Sequence, residues 1–221
     1  MTITEFLHQL IIGLQQTTPL EFIAVIAGIA SVWYSRKENI LVYPVGLINT
    51  SIYIYLSVKG HLFGEASVNF YYTVMSIYGW ILWTRKDASK QETILHISKS
   101  NRTEWKQQLI FFLSFYVVIF FCLSWIKNAF APEAIPWADA FASATAFTGM
   151  WLMAKKKVES WYWWIATNIA SIPLYFVKGY AFTSIQFFVF LILAIAGLIE
   201  WKKRISNIEQ GILNDEVRKE Y

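Results

Sequence analysis

The chain has 221 residues, of which 56% are hydrophobic and 15% are charged, with a mean hydropathy of +0.41 and a formal charge of +4. Seven apolar runs occupy most of it, each long enough to cross a bilayer core about 30 Å thick, so no sizeable soluble domain is left. The single cysteine, Cys122, excludes an intramolecular disulfide and a metal site built from cysteines. The composition predicts an all-α membrane protein with seven transmembrane helices.

The first segment, residues 1–18, lacks the basic start and the small-residue cleavage pattern of a signal peptide. Its apolar residues fall on one helical face and are Phe6, Leu7, Leu10, Ile11 and Leu14. This pattern predicts a short helix that lies on the membrane surface. The alternative interpretation is an eighth, short membrane span.

The seven spans are predicted at residues 19–35, 40–58, 66–84, 107–126, 137–154, 161–177 and 183–201. The chain then divides into a surface helix over 1–18, a first three-helix repeat over 19–84, a loop with a linker helix over 85–126, a second three-helix repeat over 127–201 and a tail over 202–221. Pro173 lies inside the sixth span and frees the carbonyl of Ile169, which predicts either a static kink or a hinge.

The distribution of basic residues predicts the orientation of the spans. Of the 19 Lys and Arg residues, 16 follow spans one, three, five and seven, and the opposite side holds only Lys59, Lys127 and Lys178. The N-terminus is therefore predicted to lie outside the cell membrane and the C-terminus in the cytoplasm. Since topology accounts for the basic residues, the net charge does not indicate a nucleic-acid partner.

Two parts of the chain repeat each other at an offset of 118 or 119 residues. The matching positions are Trp33 and Trp151, Asn49 and Asn168, Lys59-Gly60 and Lys178-Gly179, Phe63 and Phe182, Gly79 and Gly197, and Trp83 and Trp201. Each unit carries three spans, and one linker span joins them. Three crossings and one more return the chain to its starting side, so we predict parallel 3+1+3 repeats with the substrate between the halves.

Polar side chains inside the spans are candidates for substrate binding, because polar groups are costly in hydrocarbon. Amides, hydroxyls and aromatic rings recur at spacings of three and four on the third and sixth spans, so they share one face of each helix. The candidate substrate-binding residues are Asn49, Tyr53, Asn69, Tyr72, Ser76, Trp80, Trp164, Asn168, Tyr175 and Gln186. The alternatives are that the amides only join helices and that the Trp residues only mark the membrane interface.

The residue types that the central spans lack narrow the kind of substrate. They contain no Arg or Lys, which a phosphate group would need, so a dephosphorylated compound is favoured. Aromatic walls with amide edges suit a flat heterocycle with hydroxyls, and a cationic ring would also bind to them. With no buried carboxylate relay and no phosphate-binding loop motif, the sequence predicts facilitated diffusion without a cofactor or metal. Sodium coupling through backbone carbonyls stays open.

Several ordered motifs resemble the PnuC family of bacterial vitamin transporters over essentially the whole chain. In the first repeat they are Ser31-Val32-Trp33-Tyr34, Tyr43-Pro44-Val45-Gly46-Leu47-Ile48-Asn49 and Tyr78-Gly79-Trp80-Ile81-Leu82-Trp83. In the second they are Trp151-Leu152-Met153-Ala154-Lys155-Lys156-Lys157, Pro173-Leu174-Tyr175-Phe176-Val177-Lys178-Gly179 and Glu200-Trp201-Lys202-Lys203. Asn69 and Gln186 depart from the family pattern, in which Gln and Tyr are common at these positions.

The resemblance implies a fold like that of the SWEET sugar transporters and a homotrimer in the inner membrane, with the N-terminus in the periplasm. It also implies uptake of nicotinamide riboside, which cytoplasmic phosphorylation then traps. Thiamine is the alternative substrate, because it too is a cationic heteroaromatic compound without phosphate. A membrane enzyme would need clustered catalytic groups, and the sequence shows none. A non-transporting scaffold or receptor subunit is the alternative of another class.

Overall fold

The computed structural model describes residues 8, 11–13, 17–60, 63–86, 93–130, 132 and 134–219. The long helices in these ranges are α1 (Pro19–Arg36), α2 (Val42–Lys59), α3 (Phe63–Thr84), α4 (Arg102–Phe130), α5 (Pro136–Ala154), α6 (Glu159–Val177) and α7 (Ala181–Lys219). Each predicted span coincides with one helix, although α7 continues well past its predicted end. Residues 8 and 11–13 are helical, and most of the predicted surface helix over 1–18 lies outside the described residues.

The first helix of each half begins with a proline and is followed by a turn at an equivalent position. Thr18 caps α1 by accepting a hydrogen bond from the Glu21 backbone N–H at 3.2 Å, and prolines open both α1 and α5. After α1 the chain turns at Glu38 (φ 56°), and after α5 it turns at Lys156 (φ 52°). A positive φ is uncommon outside glycine, so the same costly turn at positions 118 residues apart supports a repeated backbone.

Six of the seven helices form a closed ring. Neighbours around it pack in the order α1, α2, α3, α5, α6, α7 and back to α1, while α4 lies outside and packs on α5. The middle helices of the two halves, α2 and α6, lie on opposite sides of the ring. No Cα atoms of these two helices come within 8 Å of each other in the described residues. Side chains therefore border the space between them.

By length and hydropathy alone, two helices in the described part of the chain could cross a membrane, within Arg102–Lys127 and Ala181–Gln210. The seven predicted spans therefore do not all pass this test. The other five helices carry amides, hydroxyls, glycines and indole rings, which lower their mean hydropathy. On α4, by contrast, the outward side chains are large and apolar, and Phe121 and Trp125 are 65% and 87% exposed. Cys122 is also exposed here.

Four aromatic rings fill one end of the helix ring, which we call the basic end (residues 35–43, 83–86, 154–161 and 200–204). Trp83 lies 5.2 Å from Tyr43 and 6.4 Å from Trp201, and Trp201 lies 5.5 Å from Trp161, measured between ring centroids. All four side chains are at most 4% exposed. They form a continuous aromatic layer across the ring.

Hydrogen bonds cross the basic end in a reciprocal pattern. The indole N–H of Trp83 donates to the carbonyl of Ala154 at 3.1 Å, and that of Trp201 donates to the carbonyl of Ser35 at 3.2 Å. Each half thus uses a tryptophan of its third helix to bind the end of the other half's first helix. This reciprocity is what two repeats related by an approximate twofold axis would produce.

Glycines make room for two rings of the aromatic layer. The Tyr43 ring lies so close to Gly79 that no side chain could be added there, and the Trp161 ring stands within 2.6 Å of where a Cβ of Gly197 would be. These contacts are again 118 residues apart. They explain why the matching glycines of the sequence lie inside helices, where glycine is otherwise unfavourable.

Ion pairs add to the contacts at the basic end. Lys156 Nζ lies 2.7 Å from Glu38 Oε1, and Arg204 contacts the other oxygen of Glu38 at 3.1 Å. Arg36 pairs with Glu200 at 2.7 Å. Lys156 is only 4% exposed, so the Glu38–Lys156 pair joins the two turns in a largely dehydrated place.

Candidate substrate site

Aromatic side chains from opposite halves meet in the middle of the helix ring. Tyr72 of α3 lies 6.2 Å from Trp164 of α6 and 6.1 Å, edge-on, from Phe147 of α5. Phe147 also stacks on Tyr71 at 4.2 Å. These rings provide faces and edges on which a flat heterocycle can stack.

Beside this aromatic wall, α6 presents two buried polar side chains. Asn168 is 3% exposed and Ser171 is 1% exposed, and neither side chain makes a hydrogen bond with another described residue. With Trp164 and Tyr175 they recur at spacings of four, three and four, so they form one stripe along α6. We call this the site stripe. An amide that has no hydrogen-bond partner among the described residues stays available to a ligand.

The wall continues toward the end of the ring opposite the basic end. Tyr175 stacks on Phe187 of α7 at 5.1 Å with the rings nearly parallel. The side chains of Tyr53 on α2 and Gln186 on α7 lie close enough to interact. Tyr53, Tyr72, Trp164, Tyr175 and Gln186 therefore lie around one interior, and Asn168 shares the face of α6 that carries Trp164 and Tyr175. They reach it from four different helices.

The other four candidates lie elsewhere. Asn49 donates a hydrogen bond from Nδ2 to the carbonyl of Ala24 on α1 at 2.7 Å, so its amide joins two helices. Asn69 turns back to the carbonyl of Glu65 in its own helix at 3.0 Å. Ser76 is buried opposite Gly46, between helices of the first half. Trp80 is 38% exposed and points out of the ring.

The predicted equivalence of Asn49 and Asn168 is wrong by one residue. Gly46 packs against Ser31 in the first half, and the residues 118 further on, Trp164 and Gly149, pack against each other in the second. Helix α6 ends at Val177, 118 residues after the end of α2 at Lys59, so its one additional residue lies at its start, before Trp164. The offset of 118 therefore holds through the part of α6 that contains Thr167 and Asn168.

The true counterpart of Asn49 is Thr167. Its hydroxyl donates to the hydroxyl of Thr145 on α5 at 3.0 Å, as Asn49 donates to α1. Each middle helix is thus joined to the first helix of its own half at the same level. Asn168 has no role in this bond, which leaves its amide free to face the interior.

Sequence reasoning missed a second group of polar residues, at the start of α6. Glu159 accepts hydrogen bonds from the backbone N–H and the hydroxyl of Ser100 at 2.9 and 2.8 Å. Gln108 of α4 donates to the Ser100 hydroxyl at 2.7 Å and accepts from Trp163 at 3.1 Å. Polar residues near helix starts are usually solvated, so the sequence carried no signal that these are buried.

Charged groups are confined to the ends of the ring. Lys178, at the end opposite the basic end, pairs with Asp139 at 2.6 Å. The described residues contain no cluster of three side chains able to hold a metal ion. The interior is therefore aromatic and amide-bearing, without a fixed charge that would bind a phosphate.

A ring of helices around such an interior is the architecture of a membrane transporter for a small organic molecule. The family model described as nicotinamide mononucleotide transporter matches residues 18–203, and the chain belongs to this family of vitamin transporters. It is accordingly a multi-pass protein of the inner membrane and not an enzyme.

Two relatives are named as transporters of different substrates. The nicotinamide riboside transporter PnuC of Escherichia coli (strain K12) is 21% identical over 201 residues, which cover 82% of this chain and 84% of that protein. The riboflavin/roseoflavin transporter RibM of Streptomyces davaonensis is 22% identical over 188 residues, which cover 85% and 86%. The chain is thus similar to transporters of more than one vitamin.

The fold is shared with a solved transporter. A crystal structure of the vitamin B3 transporter PnuC superposes with a TM-score of 0.69 over 93% of this chain and 90% of that one, at 21% identity. The nicotinamide riboside transporter PnuC of Neisseria mucosa is 25% identical over 193 residues, which cover 84% of this chain and 73% of that protein. The predicted family resemblance is confirmed.

Proposed function

We propose that this protein takes up nicotinamide riboside by facilitated diffusion and that cytoplasmic phosphorylation traps the product. The observation that carries the proposal is the unpartnered amide of Asn168 beside the Trp164 ring. A side-chain amide can donate and accept at once, which matches the carboxamide of nicotinamide. The neighbouring rings offer π faces to the positively charged pyridinium.

The charge distribution supports a riboside as the substrate in preference to a mononucleotide. A phosphate inside the ring would meet aromatic and amide groups and no cation, since the lysines and arginines of the described helices lie toward the ends of the ring or beyond them. Removing a phosphate from water without such a partner is unfavourable. The substrate would therefore enter dephosphorylated, and phosphorylation inside the cell would prevent its return.

Thiamine and riboflavin are the alternative substrates. Thiamine also has a cationic heteroaromatic ring and no phosphate. Riboflavin is favoured by the similarity to a riboflavin/roseoflavin transporter. Riboflavin is an uncharged tricyclic compound, so it would depend on stacking more than on attraction to the π faces.

The proposed architecture is seven transmembrane helices in parallel 3+1+3 repeats, with α4 as the linker. The reciprocal Trp83 and Trp201 hydrogen bonds and the two turns at Glu38 and Lys156 support it. We place the basic end in the cytoplasm, where the excess of Lys and Arg belongs, and the N-terminus in the periplasm. The proposal includes assembly as a homotrimer in the inner membrane.

Equilibrium binding of tritiated nicotinamide riboside, thiamine and riboflavin to purified protein tests the function. We expect nicotinamide riboside to bind, and nicotinamide mononucleotide to compete poorly. Stronger binding of thiamine or riboflavin would change the proposed substrate but leave the proposed transport function in place. If none of the three binds to folded protein, the scaffold or receptor alternative takes its place.

A further inference from the structure

Helix α6 carries a second polar stripe besides the site stripe. Glu159, Trp163 and Thr167 follow one another at spacings of four, so they lie on one side of the helix. Each of them makes a hydrogen bond to a different segment of the chain: to the loop before α4, to α4 itself and to α5. We call this the anchored stripe. Because successive residues are rotated by about 100°, fixing it also fixes where Trp164 and Asn168 point.

The centre of the anchored stripe is a chain of hydrogen bonds through Gln108. Its amide oxygen accepts from Trp163 Nε1, its amide nitrogen donates to the Ser100 hydroxyl, and that hydroxyl donates to Glu159. Gln108 is fully buried and Glu159 is 5% exposed. The network joins α6 to a helix outside the ring.

Stability alone does not explain such a network. Burying a carboxylate and an amide costs free energy, and apolar side chains of the same size would often give equal stability. Hydrogen bonds differ from apolar contacts in direction, since they fix the rotation and the height of a helix. Trp163 already has an apolar contact on this side, with the Phe112 ring at 5.1 Å between ring centroids.

We propose that Gln108 is a positioning residue for the substrate site. Through Trp163 and, by way of Ser100, Glu159, it holds α6 at the one rotation at which Trp164 faces Tyr72 and the amide of Asn168 faces the interior. Helix α2 has no corresponding network, since the positions 118 residues before Glu159 and Trp163 are Leu41 and Val45. The inference rests on the proposed function, because it assigns a purpose to the geometry of that site.

The test combines substrate affinity with a signal that does not depend on substrate. Gln108→Met keeps the size of the side chain and removes both hydrogen bonds, and Trp163→Phe is the milder second variant. The protein is labelled with 5-fluorotryptophan, and the 19F resonance of Trp164 is assigned by its loss in Trp164→Phe. The matched control is Ser31→Ala, which removes the hydrogen bond between the Ser31 hydroxyl and the Val42 carbonyl in the first half.

We expect the Kd for nicotinamide riboside to rise about three- to tenfold in Gln108→Met, and less in Trp163→Phe, with a shifted Trp164 resonance in both. Ser31→Ala should change neither. An unchanged Trp164 resonance and an unchanged Kd in both folded variants would overturn the positioning role. If the wild type binds no vitamin but the Trp164 resonance still moves, the proposed function fails while the control of α6 by Gln108 stands.

Discussion

The two middle helices, α2 and α6, occupy equivalent places in the ring but hold their polar groups differently. Asn49, the one amide of α2, bonds to the carbonyl of Ala24. Helix α6 makes the corresponding bond with Thr167 and carries Asn168 one residue later, buried and without a hydrogen-bond partner among the described residues. Both middle helices thus make a structural bond to the first helix of their own half, and only α6 also carries the amide that we propose to bind the ligand.

The largest loss of stability is expected at the basic end, where the two halves make equivalent contacts. Gly197→Ala would place a methyl group within 2.6 Å of Trp161, and overpacking of this kind costs about 2–3 kcal/mol of unfolding free energy. Gly79→Ala against Tyr43 should cost a similar amount. Thermal unfolding in detergent measures both, with Gly64→Ala as the control because nothing lies within 4 Å of its Cβ position. A much smaller loss for one variant would show that the basic end is not symmetric.

Asn168→Ala should separate binding from stability. We expect the Kd for the transported vitamin to rise about tenfold to hundredfold, and uptake to be lost, because the ligand loses its amide partner. The melting temperature should stay within a few degrees, since no protein hydrogen bond is broken. Asn69→Ala is the control, because that amide bonds only to its own helix. Unchanged uptake by Asn168→Ala would remove this amide from the site.

Asn49→Ala should show the opposite behaviour. Loss of the bond to Ala24 is expected to cost about 1 kcal/mol of stability, as interhelical hydrogen bonds in membranes do. Substrate affinity should change little. Chemical or thermal unfolding in detergent and equilibrium binding on the same sample measure the two effects. A loss of affinity larger than the loss of stability would assign Asn49 to the substrate instead.

The smallest effect is expected for Thr167→Val, which keeps the shape and removes the bond to Thr145. It should lower stability by about 0.6 kcal/mol, since this is the average for such bonds in membrane helices. Comparison with Asn49→Ala would then measure how similar the two bonds are. No loss at all would make the anchored stripe depend on Glu159 and Trp163 alone.

The sequence predicted the helices and the aromatic interior because apolar length and helical spacing are local properties. Trp164, Asn168 and Tyr175 share a face in any helix, and so their grouping follows from their numbers alone. Trp80 shows the limit of this reasoning, because residues spaced by four drift around the helix. Trp80 lies eight residues after Tyr72 and points out of the ring.

Long-range pairing could not be predicted in the same way. Residue identity matches Asn49 with Asn168, whereas the contacts, at an offset of 118, match Asn49 with Thr167. The buried network of Gln108 and Glu159 depends on a loop folding back against α6, which no local pattern indicates. Both errors concern contacts between segments that are distant in the sequence, not the secondary structure of each segment.

The ion pair between Glu38 and Lys156 has a consequence for how such a chain could assemble. The two residues stand at corresponding positions and face each other. Two copies of the first half alone would set carboxylate against carboxylate, and two copies of the second would set ammonium against ammonium. Opposite charges at this pair therefore favour contact between a first half and a second half over contact between two identical halves.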